Sequence, residues 1–290
     1  MDHSHYFVPE PSRWPLVGSV GLFTLVLGIA SLLNGLTTFG SLAIAAGLLT
    51  FVVMLFGWFG AVVAESMAGK YNEQVDVSFR WGMVWFIISE VMFFAAFFGA
   101  LFYARYFAVP WLGGFGDKAI THEVLWPSFV AAWPLLTLPD ASHFTVATQG
   151  VAAFGVPALN TAILLMSGAT VTWAHWGLKQ GRRRQMIGGL AATVALGLVF
   201  MALQVHEYWD AHTLHNLRLS SGIYGSTFYM LTGFHGAHVT IGAIMLSVIL
   251  VRAVLGHFTP DRHFAFEAVS WYWHFVDVVW LGLFIFVYLL

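Results

Sequence analysis

Five ionisable side chains fall inside long apolar stretches, and their spacing limits the chemistry open to them: Glu90, His235, His238, His274 and Asp277. Glu90 lies near the middle of RWGMVWFIISEVMFFAAFFGALFYA, with Phe86, Phe93, Phe94 and Phe97 on the same helical face. A carboxyl in that surrounding is expected to be buried and protonated at neutral pH unless a cation stands beside it. It can act as a proton-relay or gating acid, or as a hydrogen-bonding link between helices. His235 and His238, in YGSTFYMLTGFHGAHVTIGAIML, are three residues apart and share a face, and Gly233, Gly236 and Gly242 admit a close neighbour. Two imidazoles so placed can in principle bind a metal or haem. No carboxylate or third histidine repeats at ligand spacing on that helix, so helix-packing histidines are expected and no metal is assigned. Glu90 is expected to pair with this couple, His238 ahead of His235, because a lone buried carboxyl and a lone imidazole each cost more than a bonded pair. His274 and Asp277 are again three apart, in EAVSWYWHFVDVVWLGLFIFVYLL, with Trp271, Trp273 and Trp280 around them. No catalytic residue is assigned to the chain.

Other polar residues read as peripheral. His175, in TVTWAHWGLKQG, stands about one turn before a basic loop and is expected at the interface. His206, Glu207, Asp210 and His212, in LQVHEYWDAH, read as a solvated rim. A different pattern marks residues 15–64, which contain no ionisable side chain. A hairpin so poor in polar handles could stand apart from the other helices and leave a groove filled by lipid. Trp58, Phe59, Glu65 and Lys70, with Arg80, Arg252 and His257, are placed at the inner edge of that groove. Arginine beside aromatic rings at headgroup depth fits a phosphate site, and it fits ordinary interfacial anchoring equally well.

The elements that position these residues follow from composition. The chain of 290 residues is 59% hydrophobic and 9% charged, and its mean hydropathy is +0.78. Such a chain is a polytopic helical membrane protein. Its net charge of −2 implies no nucleic-acid partner, and the absence of cysteine excludes disulfides, thiolate metal sites and iron–sulfur clusters. MDHSHYFVPEPSRWP lacks the pattern of a cleaved signal peptide.

Seven spans are expected: helix I at 15–34, II at 41–66, III at 78–107, IV at 155–178, V at 186–209, VI at 222–255 and VII at 262–290. Gly35 and Gly40 mark the short I–II link of an antiparallel hairpin. Residues 1–14 form an N-terminal segment, 67–77 an inner loop and 108–153 an outer loop rich in proline and glycine, with 124–134 touching the interface. That loop reads as an insertion without chemistry of its own. Lys and Arg divide nine against three between the two sides, led by Arg182, Arg183 and Arg184, which predicts a cytoplasmic N-terminus and an external C-terminus.

Five blocks resemble the cytochrome c oxidase subunit III family: PSRWPLVGS (11–19), RWGMVWFIISEVMFF (80–94), NTAILLMSGATVTWAHWGLKQG (160–181), GIYGSTFYMLTGFHGAHVTIG (222–242) and HFAFEAVSWYWHFVDVVW (263–280). The resemblance implies an all-α fold of seven transmembrane helices, a two-helix bundle (I–II) and a five-helix bundle (III–VII) flanking a V-shaped cleft filled with phospholipid. It implies that this chain carries no haem or copper, which belong to partner subunits. It implies direct contact with the catalytic subunit I, and subunit II and small accessory subunits in the same complex, which oxidises cytochrome c, reduces O2 to water and pumps protons. Glu90 matches the family's helix III acid, and Trp58, Glu65, Arg252 and His257 match positions that line the cleft at lipid headgroups. The mitochondrial members' arginine near the end of helix II is absent at Gly60 and Ala64, where Lys70 could substitute. The long 108–153 loop favours a bacterial inner-membrane source over a mitochondrial one. A quinol oxidase subunit III is usually a shorter five-helix chain, and a stand-alone proton channel or transporter would show internal repeats and broken helices. A membrane cytochrome would show a Soret band on the isolated chain.

Overall fold

The structure is a computed structural model, and it describes residues 11–290. The reading of the N-terminal segment as a cytoplasmic tail without a signal peptide falls, through residue 10, outside the described residues. Among the described residues, seven helices are long and apolar enough to cross a membrane. They are α1 (Trp14–Leu33), α2 (Thr37–Met67), α3 (Glu73–Tyr103), α6 (Val156–Lys179), α7 (Arg183–Thr213), α8 (Gly222–Val254) and α9 (Phe264–Leu283). They correspond to helices I–VII. Two short helices, α4 (Val109–Leu112) and α5 (Ala119–Leu125), lie between α3 and α6. No strand occurs among the described residues.

The described chain divides into two compact units, residues 11–79 and 80–290. In the first, α1 opens on Pro15, whose missing N–H is not needed in a first turn. It ends where Gly35 takes φ +84° and Leu36 N–H donates back to Ser31 O at 3.0 Å, a left-handed stop that glycine makes without strain. Helix α2 starts at Thr37, so Gly40 is a helical residue and not part of the turn. Its hydrogen atom is what lets α1 and α2 touch. A Cβ at Gly40 would lie 2.7 Å from Leu32 N, one at Gly47 2.7 Å from Leu25 N, and one at Gly28 2.6 Å from Ile44 N. Backbone-to-backbone contact of this kind is how apolar helices associate where no water is left to drive them together. Gly28→Ala should therefore force the pair apart, at a cost of about 1–3 kcal/mol. Faster hydrogen exchange along α2 in the variant would show it, and unchanged protection would contradict it.

The second unit is centred on α9, which is the most buried span. Leu190 of α7, Val171 of α6, Val239 and Leu246 of α8 and Trp273 and Val276 of α9 are all 0% exposed. Helices α6 and α7 pack closely because Gly189 faces Ala174, where a Cβ would come within 2.7 Å of another Cβ.

Several boundaries differ from the sequence expectation. Helix α3 begins at Glu73, inside the expected 67–77 loop. The Asn72 side chain caps it by accepting the Val75 N–H at 3.0 Å. At its far end α3 runs through a π-helical turn, Ala104–Ala108, into α4, so the helical span outlasts residue 107. Helix α7 continues to Thr213, past residue 209. The segment read as a bare insertion at 108–153 is tied down. Thr145 N–H donates to Ser220 O at 3.0 Å and Thr148 N–H to His215 O at 2.9 Å, and Asn216 Nδ2 donates to Val146 O at 2.9 Å. Phe129, Leu135 and Ala147 join the buried core.

Candidate functional site

Glu90, on α3, meets His238, on α8, with Oε2 and Nε2 2.9 Å apart. The other ring nitrogen, Nδ1, lies 2.6 Å from the Phe234 carbonyl and must donate to it, since a carbonyl only accepts. Nε2 of a neutral ring is then an acceptor, so one proton has to sit between it and the carboxyl. A protonated acid with a neutral ring, or a carboxylate with an imidazolium, gives the same count and no net charge. Phe93 and Phe94 flank the ring at 5.9 and 5.0 Å between centroids. The carboxyl is half-buried, its side chain 22% exposed, rather than fully enclosed as the sequence suggests.

Glu90→Gln keeps a donor for Nε2 and should change stability by less than about 1 kcal/mol. Oxidase complex carrying Glu90→Gln should also keep its proton-pumping ratio. A large fall in that ratio would make the residue a relay.

His235 does not join this couple. It is enclosed against Trp280 and Phe200, and its Nε2–H donates to Val276 O at 3.2 Å.

His274 and Asp277 form a second couple, Nδ1 and Oδ2 3.5 Å apart. Thr172 Oγ1 donates to Gly168 O at 3.0 Å and so accepts from His274 Nε2–H at 3.2 Å. That leaves Nδ1 to share one proton with Asp277, as at Glu90. The carboxyl fits because position 168 is glycine, whose missing Cβ would collide with Asp277 Oδ2. The histidine side chain is 43% exposed, so only the acid of this pair is buried.

Two polar groupings were not foreseen. Glu207 is 5% exposed, not part of a solvated rim. Tyr288 Oη donates to its Oε1 at 2.6 Å and Gln204 Nε2 at 3.2 Å. The other grouping lies at the start of α9. Arg80 pairs with Glu267 Oε2 at 2.5 Å, and its guanidinium stands over the Phe264 ring, 5.5 Å from the centroid. His175 and His263 each bring Nε2 to 3.4 Å from Glu267 Oε1. His175, its side chain 18% exposed, thus packs against the start of α9.

The expected headgroup residues divide between the two units. In the first, Trp58 and Phe59 are exposed and stack at 5.5 Å between centroids. Tyr71 Oη donates to Glu65 Oε2 at 2.7 Å. Burial, and then the Glu65 carboxyl, push the Tyr71 phenol above its ordinary value. Lys70 is exposed. In the second unit Arg252 lies over Phe258, 4.7 Å from the ring centroid. It borders an apolar groove of about 430 Å³ along α7 and α8, lined by Leu198, Met201, Ile244 and Val248. Its Nε and the Nδ1 of His257 are buried and, among the described residues, have no hydrogen-bond partner.

The family model described as cytochrome c oxidase subunit III matches residues 3–290. Cytochrome c oxidase subunit 3 of Danio rerio is 40% identical over 289 residues, covering 99% of this chain and 97% of its own length. Those of Dugong dugon and Papio hamadryas are 40% and 41% identical over 287 residues, with the same coverage.

Proposed function

Because the chain belongs to the cytochrome c oxidase subunit III family, we propose that its work in the complex is to hold other parts in place rather than to carry electrons. It is a multi-pass membrane subunit of a respiratory oxidoreductase. The observation that carries the proposal is how its polar groups are used. Glu90 and His238 tie α3 to α8, the His274–Asp277 couple and Thr172 tie α9 to α6, and Glu207 ties α7 to the C-terminal turn through Tyr288. Each is an interhelical link of the kind that stabilises helices in lipid.

On this reading the subunit packs against the catalytic subunit I of an aa3-type oxidase, beside subunit II and small accessory subunits. It steadies that subunit and assists O2 access and proton uptake. It sits in a bacterial inner membrane with the N-terminus cytoplasmic. Apolar side chains such as Leu33 and Phe56, 82% and 80% exposed, suit a lipid or subunit neighbour. Phospholipid headgroups are proposed at Arg252 and His257, where buried nitrogens lack partners beside an apolar groove. Trp58, Phe59, Glu65 and Lys70 are proposed at headgroup depth in the first unit.

Oxidase purified without this chain should begin turnover near the normal rate and then lose activity faster than the complete complex. Immediate loss of O2 reduction in an otherwise intact complex would overturn the reading.

A further inference from the structure

We infer that His175, His263 and Glu267 form a binding site for a divalent transition-metal ion, zinc fitting best, at the ends of α6 and α9 where Arg80 of α3 meets them. The ligand atoms His175 Nε2, His263 Nε2 and a Glu267 carboxylate oxygen all lie within 4.8 Å of one another. Both nitrogens stand 3.4 Å from Glu267 Oε1. An ion held tetrahedrally at about 2.0–2.1 Å from nitrogen and oxygen ligands sets those ligands about 3.3–3.4 Å apart. Two edges of the required figure are therefore already in place.

The hydrogen bonding points the same way. His263 Nδ1 lies 3.2 Å from the Thr259 carbonyl and donates to it, which leaves the lone pair on Nε2. That lone pair faces a carboxylate oxygen, an unfavourable meeting that a metal ion or a shared proton between them relieves. Both Nε2 atoms are buried, and among the described residues neither has a hydrogen-bond partner. A metal ion would satisfy both nitrogens and the oxygen at once. Arg80 occupies the other carboxylate oxygen, Oε2, and so orients Oε1 towards the two rings, as carboxylate partners do around metal sites.

The donor set is two imidazoles and one carboxylate, without thiolate. It suits zinc, leaves a fourth position for water, and disfavours magnesium and calcium, which take oxygen ligands. Positive charge opposes binding, since Arg80 is adjacent and Lys179 is within electrostatic reach of His175. The ion should accordingly exchange with chelator rather than be held permanently. This goes beyond the supporting role proposed above, and it departs from the sequence expectation that the chain binds no metal. It does not depend on which oxidase the subunit serves.

The test uses the purified complex, stripped with chelator, incubated with zinc chloride, washed and analysed for metal. One zinc per complex should bind in the wild type and be lost in both His175→Gln and His263→Gln. Anomalous scattering collected at the zinc edge on the wild-type complex should show density between the three ligand atoms, which guards against variants that fail to assemble. Zinc content equal in wild type and variants, or no anomalous density at this position, would overturn the inference and leave a shared proton between Glu267 and the histidines as the account of the geometry.

Discussion

Arg80→Met is expected to destabilise the second unit by about 2–3 kcal/mol, less than when one partner of a fully buried ion pair is removed, because the Arg80 side chain is 35% exposed and partly screened by solvent. Glu267 is 8% exposed, and its Oε2 meets the guanidinium at 2.5 Å. Among the described residues, the other cationic neighbours on its carboxylate are His175 and His263, which carry charge only when protonated. Methionine keeps the length of the arginine stem and its contact with Phe264, so the loss reports charge more than packing. The double variant Arg80→Met, Glu267→Gln should recover most of the stability, because removing both charges leaves neither uncompensated. Unfolding in mixed micelles as the fraction of denaturing detergent rises measures all three. A double variant as unstable as the sum of the two single variants would show that the pair is not coupled. Zinc added to Arg80→Met should restore part of the loss, since a metal on Oε1 supplies the missing positive charge.

The long apolar runs made the seven spans legible, because crossing a bilayer imposes about 20 apolar residues per helix and no soluble fold imitates that. Glu90 and His238 were legible too, since each is a costly group in an apolar helix and the cheapest remedy is the other. Glu207 was not. Its neighbours His206, Asp210 and His212 look like a rim, and the apolar run stops near Trp209, but α7 continues to Thr213. The carboxyl then faces inward to Tyr288, a partner far along the sequence. The Arg80, His175, His263 and Glu267 cluster was hidden for a related reason. Its members come from three separate segments, and only His263 and Glu267 show ligand-like spacing on one turn. Gly40 was misread because glycine signals a turn as readily as a helix contact. What separates the two is whether a neighbouring backbone occupies the space of its Cβ, which one sequence cannot show.

Trp273→Ala should cost about 3–5 kcal/mol, among the largest effects of any single substitution in the chain. The indole is 0% exposed. It stands where four helices meet. Its Nε1–H donates to Ser167 Oγ of α6 at 2.9 Å. Positions 197 of α7 and 242 of α8 are glycines, where a Cβ would lie 2.9 and 2.8 Å from the ring. Those two glycines are the complement of the ring, so neither position carries a side chain to fill the space it leaves. Burial from water contributes little to helix association inside a bilayer, so dispersion contacts carry the packing and a void loses them outright. Trp273→Phe should cost less, about 1–2 kcal/mol, through the hydrogen bond and part of the volume. Unfolding in mixed micelles gives both values. Indole supplied to Trp273→Ala should bind the void and return part of the stability, as small aromatic molecules do in other apolar cavities. A Trp273→Ala variant within about 1 kcal/mol of the parent would mean that α7 and α8 collapse onto α9, and that the glycines do not hold the helices to a fixed separation.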